Sequence, residues 1–181
     1  PRSTLFPYTT LFRSLLSDAR ILSVNRCKDI LQVAKEMLRG EITYRQANYR
    51  QAFEHLRKAV QLEDALNYDE PWPWMQPVRH ALGALLLEQG RLEEAEEAFR
   101  QDLSKPGTVC HRSHPDNVWS LHGLKRCLER QGRADEAHEV DIRFQQANAR
   151  ADVEIRTSCF CAPLATKPDV SFDQVREQVP Y

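Results

Sequence analysis

A glycine followed twelve positions later by an alanine recurs along this chain, and the recurrence is periodic. Gly40 precedes Ala52 and Gly83 precedes Ala95 at that spacing, and Lys125 stands in the same relation to Ala137, with Gly123 two positions early. The alanines follow one another at 43 and then 42 residues. A period of this size marks a repeated supersecondary unit that buries its apolar face only against its neighbours. A plain helical bundle with accidental spacing is the alternative, and three coincident spacings argue against it.

Each unit reads as two helices. In the middle unit Pro77 suits a first helical turn, and Val78, Leu82, Leu85 and Leu86 form an apolar stripe that ends at Gly90. Leu92, Ala95, Phe99 and Leu103 give the stripe of a second helix, with Glu93, Glu94, Glu96 and Glu97 crowding its positive end. In the third unit Trp119, Leu121, Leu124, Cys127 and Leu128 lead to Gly132, then Ala134, Ala137, Val140 and Phe144 follow. The first unit runs from about Cys27 to a turn near Gln46–Asn48, and Tyr49, Ala52, Phe53, Leu56, Ala59 and Val60 mark its second helix. Close crossing within a pair requires small residues, and Gly83 is expected to face Ala95.

The segment LGALLLEQGRLEEAEEAF, Leu82 to Phe99, resembles the core of a tetratricopeptide repeat. Leu82, Gly83, Gly90, Ala95 and Phe99 fall at that family's spacing; Gly40 and Ala52 repeat part of it, as do Leu124, Gly132 and Ala137. Arg39 and Ala47 depart from the pattern in the first unit, and Lys125 and Asp141 in the third. The segments NYDEPWPWMQPVRHALGALLLEQGR and NVWSLHGLKRCL resemble a subgroup of the family with long inter-repeat inserts. The resemblance implies an all-α fold: antiparallel helical hairpins stacked as a short right-handed α-solenoid. Hairpins are expected at about 27–63, 76–103 and 117–151, within a repeat domain of 15–151.

The resemblance also implies a concave groove lined by the first helix of each unit. Carried over position by position, it places Tyr44 and Arg45, with Met37 and Glu41, on that surface. His80 and Leu87, with Ala84 and Glu88, come from the second unit, and Trp119, His122, Arg126 and Arg130, with Glu129, from the third. Such a mixture suits an extended peptide with acidic and apolar side chains. The function expected is a protein- or peptide-binding scaffold without catalytic activity.

Balanced charge, 25 basic against 26 acidic residues, gives no global field to recruit nucleic acid or an anionic membrane. Mean hydropathy is −0.59, and no apolar run approaches the length of a membrane span. There is no nucleophile elbow, phosphate-cradling glycine loop, zinc-protease motif or dinucleotide fingerprint. The sequence therefore suggests no cofactor, no resident metal and no small-molecule substrate.

Three segments stand apart from the repeats. The insert DEPWPWMQP places Trp72 and Trp74 between prolines that hold it extended, either as a plug between units or as an anchor for a partner. The second insert carries Cys110, His111 and His114, and Cys159 and Cys161 lie beyond the last helix. A metal- or redox-linked protein using either set is the competing reading. Read on its own, the Cys159/Cys161 pair is expected to be reduced and partly packed, and five cysteines without a visible signal suggest reduced thiols and a cytoplasmic protein. Asp152 to Ile155 reads as a short strand, and 152–181 as an extended segment with a loosely ordered tail. Residues 1–14 are set aside as a leader, since FPYTTLFRS resembles a translated sequencing adapter. A third reading makes the repeats an appendage of a larger enzyme.

Overall fold

In the computed structural model, residues 20–105 and 113–159 are described. They form six helices and one small β-hairpin. Strands β1 (Ile21–Leu22) and β2 (Asn25–Arg26) pair antiparallel around Ser23, whose φ is 53°. The helices are α1 (Cys27–Arg45), α2 (Tyr49–Asp64), α3 (Val78–Glu88), α4 (Leu92–Asp102), α5 (Val118–Arg130) and α6 (Ala134–Asn148). They pack as the pairs α1/α2, α3/α4 and α5/α6, and each pair leans on the next through α2 against α3 and α4 against α5. This is an all-α helical-repeat fold.

The turns show how each hairpin reverses. Gly90 and Gly132 take φ of 72° and 76° just beyond α3 and α5, the left-handed conformation that closes a helix C-terminus. Ala47 occupies the corresponding turn of the first hairpin at φ 61°, so an alanine is held there against its own preference. Asn48 then caps α2 by accepting from the Gln51 amide at 3.4 Å, and Asn117 caps α5 by accepting from the Trp119 amide at 3.0 Å.

Helix α3 is buried continuously from Val78 to Leu86, because neighbours cover it on both sides. That explains a sequence richer in apolar residues than its partner α4, whose buried positions are only Ala95, Ala98, Phe99 and Asp102. The core runs through Val33, Phe53, Leu56, Leu85, Leu86, Phe99, Leu121, Leu124, Cys127 and Leu128.

Of the small residues, Ala52, Ala95 and Ala137 are buried, as are Leu82 and Leu124. Gly83, however, faces the Phe99 ring and not Ala95: a Cβ at Gly83 would lie 2.7 Å from that ring. Gly123 meets the same ring from the third hairpin, and Gly40 meets Leu56. The closeness that glycine permits therefore seats a large side chain of the second helix, and the second and third hairpins share one aromatic. The expected strand at Asp152–Ile155 does not form; that stretch contains bends and coil. Among the described residues, no helix is long and apolar enough to cross a membrane.

Candidate functional site

Two side-chain clamps set the first insert, residues 65–77. The buried Glu63, one residue before the end of α2, accepts a hydrogen bond from the Val78 amide at 3.1 Å and so caps α3, whose flanking Pro77 offers no side-chain cap. Next to it, Asp64 accepts two hydrogen bonds of 2.7 Å from the Arg79 guanidinium, the paired geometry that suits this couple. At the insert's start, buried Asn25 donates to the Asn67 carbonyl at 3.0 Å and accepts from the Asn67 amide at 2.7 Å. The β-hairpin therefore holds the insert, a role with no periodic mark in the sequence.

With its ends fixed, the insert lays Trp74 against the core and leaves Trp72 partly exposed. Trp72 meets the His114 ring edge-on, with centroids 4.1 Å apart. One tryptophan thus fills the seam between units and the other borders an opening. The peptide bond between Glu70 and Pro71 is cis.

The opening is a groove of about 300 Å³ lined by Met37 and Glu41 of α1, His80 of α3 and Trp119 of α5. Trp72, Met75, Gln76 and Pro77 of the insert, with Asn117 and Cys159, complete it. Burial pushes the Glu41 carboxyl above its ordinary range, and the nearby Arg45 charge pulls the other way. A shallow depression elsewhere, lined by Lys125, Glu129, Gly132, Ala134, Ala137, His138 and Asp141, belongs to the third hairpin alone.

Beside the groove lies a buried polar cluster. Asp102, the last residue of α4, accepts from His80 Nε2 at 2.9 Å, from His114 Nδ1 at 2.6 Å and from the Ser120 hydroxyl at 2.6 Å. The His114 amide also donates to the Asp102 carbonyl at 2.5 Å. Burial alone would raise the Asp102 carboxyl, yet the hydrogen bonds and charge of His114 and His80 hold it well below the usual carboxylate range. The cluster joins the second hairpin, the second insert and the third hairpin at one point.

Of the groove candidates proposed from the sequence, Met37, Glu41, His80 and Trp119 line this opening; Tyr44, Arg45, Leu87, His122, Arg126 and Arg130 do not. Tyr44 is buried, packs edge-on to Tyr49 and Phe53, and its hydroxyl accepts from Gln89 at 2.8 Å. Arg45 lies against the Tyr44 ring, 5.7 Å from its centroid. His122 turns toward Phe144 of its own hairpin, and burial lowers its pKa. Arg126 pairs with Glu129 at 3.3 Å. Arg130 donates to the Leu87 carbonyl at 2.5 Å, alongside the Gly90 amide at 3.1 Å, and half-buried Leu87 packs against the core. Of these cations, Arg130 ties the third hairpin to the second, while Arg126 pairs within its own helix.

The candidate ligands fare differently. Cys110, His111 and Cys161 lie outside the described residues. His114 joins His80 and Asp102, a grouping the sequence does not suggest. Cys127 is a buried core residue whose thiol is pushed up to about 12 by burial. Cys159 is disulfide-bonded, which corrects the expectation of a reduced thiol there and removes part of the argument for a cytoplasmic protein. Cys27 and Cys127 are free thiols. Glu96, one of the carboxylates crowding the start of α4, is half-buried and joined to Arg133 at 2.6 Å and Arg100 at 2.7 Å.

Residues 32–103 match the family model for the tetratricopeptide repeat. Neither a curated protein nor a solved structure matches the chain.

Proposed function

We propose that this chain, which belongs to the tetratricopeptide repeat family over residues 32–103, is a non-catalytic scaffold that holds a peptide segment of a protein partner. The supporting observation is the groove of about 300 Å³, which takes residues from the first helix of all three hairpins. Its walls are largely apolar and aromatic, with Trp72, Trp119, Met37 and Met75 in place, and its one carboxylate among the described residues is the desolvated Glu41. Aromatic walls around a carboxylate favour an apolar segment bearing one lysine or arginine. This differs from the acidic and apolar peptide expected from the sequence, since neither Arg126 nor Arg130 lines the opening. Neither nucleic acid nor a membrane surface is proposed as a partner, because the net charge is −1.

The test is an array of defined peptides probed with the full chain, followed by solution affinities for the peptides retained. Apolar peptides with one basic residue should be selected, and Trp119→Ala and Glu41→Gln should each weaken them about tenfold or more. Peptide binding that both substitutions leave unchanged, in chains with intact helical circular dichroism, would remove this groove from the reading.

A further inference from the structure

We propose that His80, Asp102 and His114 form a site for one divalent late transition-metal ion, zinc in the first instance, which pins the second insert to the seam between the second and third hairpins. Three separate parts of the fold supply the donors: the first turn of α3, the last residue of α4, and the segment leading into α5. One ligand atom from each lies within 4.8 Å of the others, and all three residues are buried.

The donor set decides the class of ion. Two imidazole nitrogens and one carboxylate suit zinc and its first-row neighbours, which bind such atoms at about 2.0–2.2 Å. Calcium and magnesium require more oxygens than one carboxylate and one hydroxyl provide. An ion at the point of convergence replaces the protons that now bridge Asp102 to His80 Nε2 and His114 Nδ1. In each neutral ring the proton moves to the other nitrogen, Nδ1 of His80 and Nε2 of His114, so that the nitrogen facing Asp102 offers its lone pair. Ser120, whose hydroxyl already points at Asp102, or water entering from the groove that His80 lines, completes the coordination.

Preorganisation favours the site. The Trp72 ring sits edge-on to His114, and the His80 and His114 rings are inclined at 69° with centroids 6.1 Å apart. Neither ring needs to find its orientation when the ion arrives. A hydrogen-bonded clamp alone explains the burial of Asp102. It does not explain why two of its three donors are imidazoles whose ring nitrogens converge on the same carboxylate.

The full chain, stripped with chelator and dialysed, is titrated with zinc chloride by calorimetry and by elemental analysis. One equivalent should bind, with a rise in melting temperature, and His114→Gln should weaken binding by about 100-fold or more. Because Asp102 and His80 are core residues whose replacement can unfold the chain, cobalt(II) uptake by the unaltered protein is the second measurement. Visible bands of a four-coordinate cobalt ion without a thiolate charge-transfer band support the site. Absence of zinc uptake by folded protein, uptake equal in the His114→Gln chain, or a thiolate band would each overturn it.

Discussion

Lys125 and Asp141 form an ion pair at 2.6 Å, at the same sequence separation that joins Gly40 to Leu56 and Gly83 to Phe99. Two hairpins thus set a glycine on the first helix beneath a large apolar side chain on the second. The third replaces both members at once, with a cation for the glycine and a carboxylate for the apolar residue. Separately each departs from the repeat pattern, yet together they are one exchange. The pair lies on the hairpin with no successor among the described residues, where the apolar version would present an uncovered face. The two residues are partly exposed, so their coupling is modest. A double-mutant cycle with Lys125→Met and Asp141→Leu in urea should give about 1 kcal/mol. Strict additivity would show that the pair is incidental.

Phe99 is shared between Gly83 and Gly123, so its loss affects two hairpins. Phe99→Ala should destabilise the chain by about 3–5 kcal/mol, the range for emptying a buried aromatic site. Gly123→Ala forces a methyl into the ring and should also destabilise, and Phe99→Leu should relieve part of that loss. Equilibrium denaturation of the two single variants and the double variant checks this. A double variant as unstable as the sum of the singles contradicts the shared contact.

The hairpins are legible in the sequence because their determinants are local. Apolar stripes at helical spacing and Gly90 and Gly132 just past helix ends carry the information within a few residues. The cluster beside the groove is not legible, because its imidazoles lie 22 and 12 residues from Asp102 and the full set meets only when two hairpins stack. Asp102 looks like one more carboxylate on an acidic helix, and His114 looks like the neighbour of Cys110 and His111. The groove is legible only in part. Family positions include Met37, Glu41, His80 and Trp119, which line the opening, but give no account of an insert that brings Trp72 and Met75 there. Burial of Tyr44 follows from packing against Tyr49 and Phe53, which no single-helix pattern encodes.

Ala47 holds the left-handed conformation that Gly90 and Gly132 adopt without strain. Ala47→Gly should therefore raise stability by about 1 kcal/mol, offset in part by the greater freedom of glycine in the unfolded chain. Its melting temperature should rise, and helical content should stay unchanged. A lower melting temperature would show that the Ala47 side chain has a packing role that outweighs the backbone strain.

Glu63 is the group whose titration should be visible in stability. Burial raises its carboxyl to about 8, the Val78 amide and the Arg79 charge oppose the rise, and the Asp102 and Asp64 charges add to it. The folded pKa lies above the unfolded value of about 4.3, so between the two the folded chain carries the extra proton. Stability linked to this group is therefore full below the unfolded pKa and falls as pH rises toward 8. Between pH 5 and pH 8 the linked loss of stability is on the order of 3–4 kcal/mol. Glu63→Gln keeps an acceptor for the Val78 amide and carries no titrating proton. In chelator, where no ion perturbs Asp102, urea midpoints of the unaltered chain should decline between pH 5 and pH 8 by about that amount. The Glu63→Gln chain should decline less and exceed its parent at pH 8. Parallel curves for the two proteins would mean that Glu63 is ionised in the fold, with its charge matched by Arg79 across the helix junction.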